Sequence, residues 1–107
     1  MKPRRIRWST PASLDLIEVV EFIRNDSPAA ARELAREIDR ATSRLSRHPE
    51  AGKIVPELRE QGISEYRQLS IPPYRVIYAA RQKSVDIVAV FDGRRDLEKA
   101  LFERLMR

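Results

Sequence analysis

Apolar residues recur along this chain with two different spacings, and the change of spacing divides it into elements. From residue 10 to about 24, Leu16, Val19, Val20 and Ile23 fall three or four apart, the period of one buried helix stripe. Thr10-Pro11 offers a cap followed by a proline at the first helical position. Asn25-Asp26-Ser27-Pro28 breaks the pattern and restarts it with the same chemistry, Ser27 before Pro28. The second helix runs to about Arg47, with Leu34, Ile38, Ala41 and Leu45 toward the core, and His48-Pro49 stops it. So short a linker predicts an antiparallel helical hairpin.

On either side of the hairpin the period falls to two. Arg4 to Trp8 reads as a short strand with Ile6 and Trp8 on one face and Arg5 and Arg7 on the other. Glu50 to Gly62, with Gly52 and Pro56, reads as a loop. Strands follow at about 63–71, 74–80 and 85–92, separated by Pro72-Pro73 and by a turn from Arg81 to Ser84. Such short connections predict an antiparallel meander. Val85 to Phe91 is the most apolar strand on both faces and is expected to be central. A final helix over about 95–106 buries Leu97, Leu101 and Leu105. The order predicts an α+β fold, a small twisted sheet covered on one face by the hairpin. At 107 residues it suits one domain spanning 1–107.

Composition narrows the class. Apolar residues make up 42% and charged residues 35%, which is globular rather than disordered. Cysteine is absent, which excludes a disulfide scaffold and fits a reducing cytoplasm. No apolar run reaches membrane-spanning length, and no apolar stretch of signal-peptide type follows the basic N-terminus. The net charge is +5, carried by 17 Arg against 4 Lys, an excess that favours phosphate or carboxylate partners. The charge forms no tail: residues 1–52 hold 10 cations and 8 acids, residues 53–107 hold 11 and 8.

The familiar catalytic sets are missing. There is one histidine, no Gly-rich phosphate loop and no metal-ligand spacing, so neither cofactor nor metal is expected. His48 reads as a helix-end residue facing the dipole, and Glu57 and Glu60 as solvated loop charges. Arg32, Arg36, Arg40 and Arg44 form a row that reads as a solvated face laced with Glu33 and Glu37, the alternative being a docking stripe for an acidic partner. Arg4, Arg5 and Arg7 read as an ordinary charged strand face.

The later arginines differ. Arg67 shares a face with Leu69 and Ile71, and Arg75 shares one with Ile77 and Ala79. An arginine among aliphatics is costly unless it meets solvent, a carboxylate or a phosphate. Arg94 and Arg95 open the last helix, where backbone N–H groups favour an anion. If neighbouring strands bring Arg67, Arg75 and Arg95 together, they form a cationic concavity. The plainer alternative is pairing with Glu65, Asp92 and Asp96.

Four stretches then carry a resemblance. They are His48-Pro49-Glu50-Ala51-Gly52 with Val55-Pro56-Glu57-Leu58; Tyr66-Arg67-Gln68-Leu69; Pro73-Tyr74-Arg75-Val76-Ile77-Tyr78; and Val85 to Asp96 with its Gly93-Arg94-Arg95 turn. In this order the chain resembles the RelE/ParE superfamily of toxins from bacterial type II toxin–antitoxin systems, over almost its whole length. The resemblance implies a cytoplasmic growth inhibitor held by a cognate antitoxin whose C-terminal segment, often acidic, wraps it. It implies either DNA gyrase or ribosome-bound mRNA as target.

By that resemblance Arg67, Arg75 and Arg95 would be catalytic in a ribonuclease, and Arg75, Arg94 and Arg95 would contact the target in a gyrase inhibitor. The family's second basic strand position falls at Leu69 or Gln68, and the tyrosine of its ribonuclease members falls at Leu101 or is absent. Cleavage by a 2′-hydroxyl needs a proton acceptor and a donor beside the cations. Guanidinium does not readily give up its proton. Tyr66, Tyr74 and Tyr78 fit core packing better than proton transfer. The reading therefore favours a ParE-like binder of gyrase over a RelE-like ribonuclease, with an inactive antitoxin-binding homologue as a third reading.

Overall fold

A computed structural model describes residues 2–106. The elements are β1 (Arg5–Trp8), α1 (Thr10–Asp26), α2 (Pro28–Arg44), β2 (Lys53–Ile54), α3 (Pro56–Arg59), β3 (Tyr66–Ile71), β4 (Tyr74–Ala80), β5 (Ser84–Asp92) and α4 (Leu97–Leu105). The α+β order expected from the sequence is present: strand, helical hairpin, meander, helix. Two elements were not expected, β2 and α3, inside what read as one loop. Two strand residues and a single helical turn are too short to establish a period.

The caps follow side-chain chemistry. Ser9, rather than Thr10, caps α1, its Oγ accepting from the Ala12 N–H at 3.1 Å. Ser27 does the same for α2 with Ala30, as expected. α4 starts later than expected: Asp96 caps it by accepting from the Lys99 N–H at 3.3 Å, so Arg94 and Arg95 sit in the turn before the helix.

The sheet has five strands in the order β1-β5-β4-β3-β2. β1 runs parallel to β5, with Arg5 opposite Ser84 and Trp8 opposite Ile87. The other pairings are antiparallel. β5 is interior, but β4 holds the middle place because β2 lengthens the far side. The register slips once. Ile77 faces Ala89 while Tyr78 faces Ile87, so Val88 is an extra residue without a partner on β4, a β-bulge.

The bulge resets which side chains share a face. Val85, Ile87 and Val90 therefore pack with Ala12, Ile38, Leu45, Val76 and Tyr78 under the hairpin. Ala89 and Phe91 pack with Ile77 on the opposite face, beneath Val55 and Leu58 from the α3 segment and Leu97 and Leu101 of α4. Both faces of the sheet are thus covered, where the sequence predicted cover on one.

The loop after α2 is tied down by a core side chain. The buried Tyr78 hydroxyl donates to the Pro49 carbonyl at 2.8 Å and accepts from the Gly52 N–H at 2.9 Å. A Cβ at residue 52 would collide with this hydroxyl and with the Gln68 carbonyl, which is why glycine stands there. Burial pushes the Tyr78 phenol above its ordinary pKa.

Candidate functional site

The arginines singled out by sequence are sorted by the sheet's alternation. Arg67 pairs across the ladder with Tyr78, and Arg75 with Ser70 and Phe91. Counting along β4, residues 75 and 78 point to opposite faces. Arg67 lies on the hairpin side, where its Nη1 donates to the Gly52 carbonyl at 2.8 Å. Arg75 lies on the α4 side. Arg67 and Arg75 therefore do not share a concavity.

Arg75 is 14% exposed and meets Glu57 through two parallel hydrogen bonds of 2.8 Å. It also donates to the Gln68 side-chain oxygen. Its Nε finds no partner among the described residues. This corrects two readings. Glu57 is not a solvated loop charge, and Arg75 is not paired with Glu65, Asp92 or Asp96. The guanidinium beside Glu57 holds that carboxyl below its ordinary pKa, against the opposing effect of burial. Glu65 instead binds Arg81 at 3.1 Å.

Arg75 and Arg95 both border Phe91, Arg75 as its ladder partner on β4 and Arg95 over its ring. The Arg95 guanidinium lies 5.4 Å from the Phe91 ring centre, and Arg104 lies 5.1 Å from the same ring, cation–π geometry in both cases. Between them, Gly93 lets the turn close on β4. Its N–H donates to the Pro73 carbonyl at 2.7 Å, and a Cβ there would press on the Arg75 side chain.

Arg94 is 75% exposed and folds back on Asp92, with hydrogen bonds of 2.9 and 2.7 Å. That contact, together with the Arg94 N–H, draws the Asp92 carboxyl down to about 2. Beside this turn a cleft of about 340 Å³ opens between α1 and the end of β5, walled by Val19, Phe22, Tyr74 and Phe91 and rimmed by both charges, Arg94 and Arg95 against Asp15, Glu18 and Asp92. Phe22 is 71% exposed there.

A further pair was missed by sequence reasoning. Asp15 of α1 and Arg104 of α4 form a bidentate ion pair of 2.8 and 2.9 Å, with side chains 14% and 20% exposed. The same two residues satisfy the bulge. Asp15 accepts from the Val90 N–H at 3.0 Å, and Arg104 donates to the Val88 carbonyl at 2.9 Å. One signal was available, since Arg104 lies three residues after the buried Leu101 and so on the apolar side of its helix.

Chemically the arrangement offers little for proton transfer. Gln68, at a position where the resemblance implies a cation, serves as an acceptor for Arg75. Leu101 is fully buried. The Tyr78 hydroxyl is spent on the loop, and Tyr66 and Tyr74 pack at the core. Among the described residues no group of three or more histidines or carboxylates could hold a metal ion. No described helix is long and apolar enough to cross a membrane.

No curated protein sequence matches the chain. Among solved structures it is similar to a chain of the "Chromosomal ParDE TA system from P. aeruginosa", with a TM-score of 0.66 at 16% identity, covering 83% of this chain and 95% of that one. That likeness concerns the fold. The family described as "ParE toxin of type II toxin-antitoxin system, parDE" matches residues 6–97, from β1 to the first residue of α4. The chain belongs to the ParE toxin family.

Proposed function

We propose that this protein is a cytoplasmic toxin that inhibits DNA gyrase by binding it and is neutralised by a cognate antitoxin. The observation that carries the reading is the state of Arg75. A strand arginine locked by Glu57 and Gln68 is a poor phosphate ligand, and Arg67 points to the other face of the sheet. A binder needs neither a proton acceptor nor a donor.

In this reading Arg94 and Arg95 meet the target. Arg75 supports them from beneath through Gly93 and Phe91. The antitoxin's acidic C-terminal segment covers an open sheet edge or the hairpin groove, and the excess of +5 draws it in.

Expression of the chain alone tests the target. Loss of plasmid supercoiling with intact mRNA is expected, and the Arg94→Ala/Arg95→Ala variant should relieve it. Codon-phased mRNA cuts within minutes would replace this reading with the ribonuclease one. Normal growth at high expression would leave an inactive antitoxin-binding homologue. Truncating the antitoxin's C-terminal half should abolish the complex.

A further inference from the structure

Two cavities of about 500 and 280 Å³ lie where the N-terminal segment crosses the end of α2. They share Arg4, Arg47 and His48. Lys2 lines the smaller and Glu50 the larger.

The segment that presents these cations is built, not loose. The Arg4 N–H donates to the Ser46 carbonyl at 2.9 Å, and the Ser46 hydroxyl donates back to the Arg4 carbonyl at 2.7 Å. Arg4 Nε donates to the Arg81 carbonyl at 2.8 Å, which fixes the guanidinium from one side. The Tyr78 hydroxyl holds the loop that follows His48.

Elsewhere many arginines are neutralised locally, although some, such as Arg5 and Arg67, pair with no carboxylate among the described residues. Arg7, Arg24, Arg36, Arg40, Arg81 and Arg94 each find a carboxylate. Among the described residues no carboxylate pairs with Lys2, Arg4, Arg47 or His48, and Glu50 is the one acid lining the two cavities. Arg4 thus parts company with Arg7, which pairs with Asp86.

The exposed large apolar residues Leu14, Ile17, Phe22 and Met106 lie on α1 and just past α4, not here. A protein partner would want an apolar centre. The apolar lining here is confined to the small side chains of Pro3, Pro49 and Ala51, and a cationic groove without a large apolar anchor suits phosphate, which arginine forks bind through charge-assisted pairs.

We propose that these two cavities form a phosphodiester-backbone site, through which the protein holds nucleic acid without reading its sequence. The site shares no residue with the Arg94–Arg95 turn, and the inference does not rest on gyrase being the target.

The test uses the full chain and fluorescence anisotropy with a short labelled duplex DNA and a labelled single-stranded RNA, from about 50 to 200 mM salt. Binding should weaken steeply with salt. Lys2→Ala/Arg47→Ala should lower affinity about tenfold and flatten the log–log salt slope by about 2, one for each phosphate no longer neutralised. Arg36→Ala/Arg40→Ala, on the outer face of α2, should leave both unchanged. Arg47→Glu should weaken binding further with an unchanged circular-dichroism melt. Tighter binding of one probe identifies duplex or single strand as the source of the phosphate. The proposal is overturned if neither probe binds, if the α2 control loses as much, or if poly-glutamate competes as well as nucleic acid at equal charge.

Discussion

The two halves of β5 are held in different ways. From Ser84 to Ile87 the strand lies between β1 and β4, and backbone hydrogen bonds satisfy it on both sides. Beyond Ile87, β1 has ended and Val88 bulges away from β4. There the place of a neighbouring strand is taken by two side chains, Asp15 accepting from Val90 and Arg104 donating to Val88. Backbone pairing depends little on which residues are present. The substitute depends on two charged ones, brought from opposite ends of the chain to the strand that leads into the Arg94–Arg95 turn. The end of the sheet nearest the proposed target surface is therefore the end that depends on charge.

The largest effect should come from breaking that substitute. Asp15→Ala leaves Arg104 uncompensated and the Val90 N–H without its acceptor, and should cost about 3 kcal/mol of unfolding free energy in urea. Asp15→Leu/Arg104→Met, which removes both charges, should recover part of that loss. Amide exchange sharpens the contrast. In Asp15→Ala, protection at Val90 should fall by more than global destabilisation accounts for, while Val85 and Ile87 follow the global change. Equal losses along the strand would show that β5 behaves as one unit.

Glu57→Gln should cost about 2 kcal/mol, because Arg75 is then left with neutral partners in a half-closed site. Growth inhibition should fall less than in Arg94→Ala/Arg95→Ala.

Acid should separate the contributions further. Glu57 has its pKa lowered by folding, so its contribution is complete above the ordinary value of 4.5 and is lost as pH falls through its depressed one. Asp92 follows at lower pH, between its ordinary 3.8 and about 2. Acid titrations of the wild type and Glu57→Gln, followed by near-ultraviolet circular dichroism, should differ in the upper part of this window. Identical curves would remove Glu57 from the account.

The smallest effect belongs to the outer face of α2. Arg40→Ala breaks a surface pair with Glu33 and should change stability by no more than about 0.5 kcal/mol.

The order of the main elements could be read from the sequence because it rests on local features. Apolar period, Ser27-Pro28 and the Pro72-Pro73 break each act within a few residues. What could not be read is set by single-residue geometry or by distance along the chain. The Val88 bulge inserts one apolar residue into an apolar run, and so leaves no mark on the pattern. Glu57 reaches Arg75 from a segment with no period at all. The arginines themselves were legible as unusual, but their faces depended on strand register, and register placed Arg67 and Arg75 back to back.

The parallel pairing of β1 with β5 also sets an order of events in time. Arg5 meets Ser84 across nearly the whole of the meander and hairpin, and Asp15 meets Arg104 across a separation of 89 residues. Pairings of such long range close late, after the local hairpin and meander have formed. The contacts that close the charged end of the sheet are thus among those with the longest loops to close, which favours slow folding there.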